Sequence, residues 1–397
     1  MIDKKLIITK YQNKIVTMLL ENSEVVELHI SDYAQKSVEL GNIYIGRVKN
    51  IVQNIQAAFI EIGDGIECYY SLTENKNPIF THKIGKKPLC IGDELLVQVT
   101  KEAVKTKVPT VNCELNFTGK YAILTSGDTR IGVSNKLNKT ESERLYQLAS
   151  PYGTKEYGFI LRTNARDAEN NIIQSEIERL ISEYQTLIKN ASTRTCFSCM
   201  RSAPKPYIAE LINVYQEGLT EIIVEDLELY EEVESYLRQM QPEDFDKLRL
   251  YKDCLLPLHK LYSLEHHLQK ALNERVWLKS GAYLVIQPTE ALTVIDVNTG
   301  KCISKKKDDE TYLRINMEAA KEVAKQIRLR NLSGIIIVDF INLNESSSMD
   351  KLLCFLQKEL KQDPIATTLV DVTKLQLVEI TRKKIRKPLH ETLGGQI

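Results

Sequence analysis

The chain has 397 residues, in which 53 Lys+Arg balance 53 Asp+Glu, and 43% of the residues are apolar. That length supports several domains with buried cores, and the composition excludes wholesale disorder, a collagen-like chain and low complexity. Zero net charge offers no basic excess of the kind that marks a nucleic-acid binder, and taken alone it points to small-molecule enzymes. The first residues, MIDKKLIITKYQNK, are charged where a signal peptide is apolar. No apolar run approaches the roughly 20 residues that span a bilayer, so a cytoplasmic protein without a membrane segment is expected. The eight cysteines are dispersed, as reduced thiols are. Cys196-x-x-Cys199 has no second CxxC to complete four ligands, so no structural zinc is expected there.

Residues 38–118 read as all-β. Strand patterns at 42–52, 57–62, 67–72 and 94–100, punctuated by Gly63-Asp64-Gly65 and Gly92-Asp93, predict a small barrel, and 73–89 reads as a long loop. Ile173, Ile177, Leu180, Ile181, Tyr184 and Ile188 recur at helical spacing. Ser202–Pro206 reads as a boundary, and apolar stripes over 229–240 and 264–272 predict two further helices. The last 125 or so residues alternate strand and helix: strands at 283–286 and 292–297, a helix over 313–327, a strand at 335–340 and a helix over 352–360. The strand at 335–340 is continuously apolar, which predicts burial on both faces. This part is an α/β layer domain.

Two of its strands end in a carboxylate, Thr293-Val-Ile-Asp296-Val-Asn298 and Ile335-Ile-Ile-Val-Asp339. Asp296 and Asn298 are two apart and share a strand face. If the strands pair in parallel, Asp339 reaches the same carboxyl edge, where open α/β sheets place their ligands. Two carboxylates and a carboxamide together suit a hard cation such as Mg²⁺, which activates water and neutralises phosphate charge. The bland alternative, that each Asp caps its strand, stays open on these residues alone.

VWLKSGAYLVIQPTEALTVIDVNTGK, followed by INMEAAKEVAKQIRLRNLSGIIIVDFI, resembles the catalytic core of the ribonuclease E/G family. GNIYIGRVKNIVQNIQAAFIEIG resembles the family's S1 barrel and GFILRT its sensor for a 5′-monophosphate. EIIVEDLELYEEV and KLYSLEHHLQKAL resemble its RNase H-like subdomain, and EITRKK its C-terminal end. The implied fold is an α+β multidomain protein. An S1 (OB-type) β-barrel (38–118) and a 5′-sensor region (119–200) are inserted in an RNase H-like subdomain (1–37 and 201–271), followed by a DNase I-like α/β catalytic domain (272–397).

The resemblance implies a Mg²⁺-dependent endoribonuclease acting on single-stranded RNA in RNA processing, with Mn²⁺ as the alternative ion and 5′-phosphate and 3′-hydroxyl products. Asp296 and Asp339 would hold the metal, and Asn298 would orient Asp296 or the scissile phosphate. Gly119, Ile123, Arg162, Thr163 and Arg382 match the 5′-phosphate sensor, where a guanidinium forks onto phosphate oxygens. Phe59, Tyr69 and Lys107 match the RNA contacts of the S1 barrel, with barrel core as the alternative place for Phe59. Where the family carries a Cys-rich zinc link this sequence has PLHETLGGQI, so no zinc-bridged dimer is expected, and any homo-oligomer forms without it. Asn342 replaces a usual Asp, and Asn135-Lys136 replaces paired arginines. The missing zinc link and Asn342 leave a non-catalytic RNA-binding scaffold open, and a DNA or phosphoester hydrolase built on the same metal site is a third possibility.

The zero net charge is a cancellation. Residues 221–246 hold ten acids against Arg238, whereas 301–330 hold nine bases against five acids, and 382–387 add five bases. Phosphate responds to charge within about 8–10 Å, so RNA is expected on the basic part of the surface and away from the acidic segment.

Overall fold

The computed structural model describes residues 3–33, 38–103, 107–214, 218–300 and 309–393. Residues 1–33 with 217–397 form one compact unit, and 34–216 form a second.

The first unit opens with an antiparallel meander: β1 (Lys4–Tyr11), β2 (Lys14–Glu21) and β3 (Glu24–Asp32). Asn22 and Ser23 both take positive φ in the two-residue turn between β2 and β3, the geometry whose twist matches the flanking strands.

In the second unit β4 (Ile43–Val52), β5 (Ala57–Glu61), β6 (Glu67–Ser71), β7 (Phe80–His82), β8 (Glu94–Lys101) and β9 (Thr110–Asn112) follow. β4 pairs with both β5 and β8, and β6 and β9 complete the ring, so five strands close into a barrel. Val48, Ile60, Cys68, Tyr70, Val97 and Val111 fill it. The segment expected as loop contributes β7, which pairs Phe80 with Leu95 on the barrel rim. Lys83 there binds Asp93, whose carboxylate also accepts from the backbone N–H of Ile84 and Cys90.

A four-stranded sheet follows, with order β10-β11-β13-β12, built from β10 (Asn116–Thr118), β11 (Ala122–Ser126), β12 (Ile131–Val133) and β13 (Tyr157–Leu161). Helices α1 (Lys139–Ala149) and α2 (Asn170–Ala191) pack on it, and α2 buries Ile173, Ile177, Leu180 and Tyr184, the stripe its sequence spacing predicts. β14 (Cys199–Arg201) adds to β4, and α3 (Pro206–Asn213) ends the unit.

Back in the first unit, β15 (Leu219–Val224) lies parallel to β1 and β16 (Leu248–Leu250) parallel to β15, giving the order β16-β15-β1-β2-β3. Helices α4 (Leu227–Met240), α5 (Leu258–Leu261) and α6 (Leu264–Leu272) accompany this sheet. A six-stranded sheet then forms from β17 (Arg275–Trp277), β18 (Tyr283–Pro288), β19 (Leu292–Asn298), β20 (Gly334–Asp339), β21 (Thr367–Val372) and β22 (Leu377–Arg382), in the order β17-β18-β19-β20-β22-β21. α7 (Asp309–Leu329) connects the one parallel pair, β19 and β20, and α8 (Ser346–Leu360) follows.

Both helices cover the same face of this sheet, where Ile295, Val297, Ile336 and Val338 are buried beneath Val323, Ile327, Leu352 and Leu356. The other face is open. Ile335 is 53% exposed and Ile337 half-buried, which corrects the expectation that this strand is buried on both faces. Its apolar run reads as two-sided only because the residues facing solvent are isoleucines. No helix among the described residues is long and apolar enough to cross a membrane.

Candidate active site

The open face carries the predicted carboxylates. β19 and β20 pair in parallel with Asp296 directly opposite Asp339, on strands about 4.8 Å apart. Side chains alternate along a strand, so burying Ile295, Val297, Ile336 and Val338 under the helices turns Asp296, Asn298 and Asp339 outward together. Asn298 Nδ2 donates to Asp296 Oδ2 at 2.6 Å, which fixes one oxygen of that carboxylate. Desolvation against the sheet, and then the Asp296 charge, push the Asp339 carboxyl up from its ordinary value. Two like charges set face to face are the arrangement a hard divalent cation relieves, and the all-oxygen donor set fits Mg²⁺. Asn342 is exposed beyond the strand end, and Lys301 and Lys305–Lys307 lie outside the described residues.

A residue the sequence reading missed supports this edge. Asn316 on α7 is fully buried; its Nδ2 donates to the Ile341 carbonyl at 2.7 Å, and its Oδ1 accepts from the Ile341 N–H at 3.0 Å. These two bonds hold the backbone two residues past Asp339. The available signal was a carboxamide one residue before Met317 and three after Leu313, inside an apolar helical stripe.

In the second unit the structure brings together four of the five residues predicted for 5′-phosphate sensing. β11 and β13 are antiparallel neighbours that set Ile123 opposite Ile160. Arg162, just after β13, donates from Nη1 to the Gly119 carbonyl at 2.7 Å and the Ile212 carbonyl at 3.1 Å, and from Nη2 to Asn213 Oδ1 at 2.7 Å. Thr163 Oγ1 lies 3.0 Å from Ser134 Oγ. The loop between β10 and β11 is clamped by Glu176 of α2, whose carboxylate accepts from the backbone N–H groups of Lys120, Tyr121 and Ala122 at 2.7–2.9 Å. A Cβ at Gly119 would collide with that carboxylate, so any larger residue there would have to displace the clamp. Glu176, a buried charge between Ile173 and Ile177, is a second residue the sequence reading passed over.

The fifth predicted residue is Arg382. It lies in the first unit, 4% exposed, with Nε donating to Asp363 Oδ2 at 2.7 Å and Nη1 to Asn331 Oδ1 at 2.7 Å and the Leu332 carbonyl at 3.1 Å. These bonds and its burial tie the guanidinium to Asp363, Asn331 and Leu332.

On the barrel, Phe59 and Tyr69 are cross-strand partners with ring centroids 6.4 Å apart, edge to face. Both are half-buried on the outer face, while Ala58, Ile60, Cys68 and Tyr70 point inward, which decides against Phe59 as barrel core. The Tyr69 N–H donates to the Pro109 carbonyl at 2.8 Å, holding beside the rings the segment that contains exposed Lys107.

The model of the ribonuclease E/G family matches residues 116–385. The chain is 31% identical over 386 residues to ribonuclease G of Haemophilus influenzae, covering 94% of this chain and 78% of that protein. It is 30% identical to ribonuclease G of Escherichia coli over 93% of this chain and 78% of that one. Against ribonuclease E of Synechocystis the identity is 30% over 96% of this chain and 57% of the relative.

Proposed function

Because the chain belongs to the ribonuclease E/G family, we propose that it is an endoribonuclease that cuts single-stranded RNA with Mg²⁺ and prefers 5′-monophosphorylated substrates. The observation that carries this is the in-register Asp296–Asp339 pair on an open sheet face, within the residues matched by the family model.

Asp296 and Asp339 would hold the cation, which supplies Lewis acidity and charge neutralisation at the scissile phosphate when bound. Asn298 keeps one Asp296 oxygen engaged, so the carboxylate cannot rotate freely. Asn316 fixes the chain beyond Asp339. In the proposed hydrolysis a water oxygen bonds to phosphorus, the P–O3′ bond breaks, and the 3′-oxygen leaves with a proton. The products are then a 5′-phosphate and a 3′-hydroxyl.

Arg162 and Thr163, with the backbone of Gly119 and Ile123, would read a terminal phosphate. The clamp by Glu176 supports that reading, because it presets the loop that Arg162 bonds to. Phe59 and Tyr69 would stack bases on the barrel, with Lys107 meeting the backbone. The strand order of the first sheet, an antiparallel meander followed by two parallel strands, supports the RNase H-like reading.

The test is a cleavage assay on end-labelled single-stranded RNA with and without Mg²⁺. Cleavage is expected with Mg²⁺ only, and loss of it in Asp296→Asn and Asp339→Asn with RNA binding retained. Full activity in either variant removes the active-site assignment.

A further inference from the structure

The sheet face that carries the carboxylates also carries the chain's single tryptophan. Trp277 on β17 and Tyr283 on β18 are cross-strand partners with ring centroids 5.0 Å apart, and Trp277 is 58% exposed. The guanidinium of Arg275 lies 4.5 Å from the Tyr283 ring centroid and 5.9 Å from that of Trp277.

Register ties this cluster to the carboxylates. Arg275 pairs with Val285, Val285 with Asp296, and Asp296 with Asp339, so these four form one row across four strands. Trp277 pairs with Tyr283 and Tyr283 with Asn298, which forms the adjoining row. Direct partners share a sheet face, and strands lie about 4.8 Å apart, so the Tyr283 ring starts one strand spacing from Asn298. Gly300, at φ +55°, follows on the carboxylate strand's exit; a Cβ there would strike the Gly281 carbonyl and approach the Tyr283 ring at 3.1 Å. The chain leaving the carboxylates is therefore pressed against the hairpin that holds both aromatic residues.

Two rings with a guanidinium over them offer π-faces to a base and a positive charge to its phosphate, the chemistry of sequence-tolerant single-strand binding. We propose that Trp277, Tyr283 and Arg275 form a stacking platform for the base of a nucleotide adjoining the scissile phosphate. This rests on the ribonuclease reading and names a specificity surface for it. Arg275 holds the phosphate of the stacked nucleotide, and the rings keep its neighbour over Asp296 and Asp339.

Trp277 is its own reporter. In the Asp339→Asn protein, which binds without cutting, titration with a short 5′-monophosphorylated single-stranded oligoribonucleotide is expected to quench tryptophan fluorescence. By anisotropy of labelled RNA in that background, Trp277→Ala weakens binding about 10-fold, the loss of one base–aromatic stack, while Trp277→Phe keeps most of it. Unchanged melting temperatures show that the variants fold. Unmoved fluorescence, or unmoved affinity in Trp277→Ala, overturns the platform. So does a fluorescence change that follows protein concentration rather than RNA, which assigns the face to a second copy of the chain. Cleavage by the unmutated protein is scored separately: quenching without cleavage sinks the ribonuclease reading and keeps the platform, and cleavage without quenching does the reverse.

Discussion

Glu176 and the Asp296–Asp339 pair show two ways of placing a carboxylate in this protein. Glu176 is 7% exposed and takes three backbone N–H groups, so its charge is spent on holding the loop at Gly119. Asp363 is similar, paired with the buried Arg382. Asp339 instead sits on an open face, opposite a second carboxylate whose charge helps push its own carboxyl up. A carboxylate surrounded by donors is architecture. One held against a like charge is the arrangement that a bound cation or proton relieves.

The strongest way to break this contrast is to remove one member of the pair. Asp339→Asn is expected to lower cleavage by roughly 10³–10⁴-fold, about 4–5.5 kcal/mol in barrier, with the fold intact. Single-turnover kinetics beside thermal melts check it, and a large drop in melting temperature would place Asp339 with the structural carboxylates. Arg382→Ala should do the opposite. It leaves Asp363 buried without its partner and destabilises the first unit by about 3–5 kcal/mol, read by urea unfolding.

Smaller effects follow in the supporting residues. Glu176→Gln keeps the shape but cannot accept three N–H bonds as a carboxylate does, and is expected to lose about 1–3 kcal/mol. If the sensor reading holds, the preference for a 5′-monophosphate falls with it; unchanged stability would show the clamp to be incidental. Asn316→Ala should lower kcat more than it raises KM, because it frees the chain beyond Asp339 without touching RNA.

The smallest expected effect is in the pH dependence. Asp339 is raised on folding, so its ionised form opposes folding; the penalty is full above the raised pKa and vanishes below the ordinary carboxylate value. Asp339→Asn should therefore melt slightly above wild type at neutral pH, and the gap should close in acid. Asp93 runs the other way. Burial pushes its carboxyl up, but Lys83 and the N–H groups of Ile84 and Cys90 outweigh that and hold it low. Its stabilisation is present above the ordinary value and lost as pH falls through the depressed one, so Asp93→Asn destabilises at neutral pH and least in strong acid. Melting curves of both variants across pH test the signs.

What could be read without the fold was local or periodic. The strand ends at Asp296 and Asp339, the barrel's short strands and the apolar stripes of α2 and α7 are all written in neighbouring residues. The parallel pairing follows from strand, helix and strand in sequence, so the carboxylate pair was legible too. Folding decided what depends on partners far along the chain. Whether Ile335 and Ile337 face solvent turns on both helices choosing one side of the sheet. Phe59 faces outward because barrel closure fills the interior with Ile60 and Tyr70. Arg382 is a strut because Asp363 and Asn331 converge on it.

The neutral total charge was fixed by sequence and said little, because phosphate responds to charges within a Debye length. Sequence supplied the residue types and their two-residue and helical spacings. Only the tertiary structure, through long-range register and burial, set Trp277, Tyr283 and Arg275 beside Asn298 and Asp296 on one open face. Side chains 13–23 residues apart meet there because hydrogen-bonded strands, not sequence distance, determine which of them are neighbours.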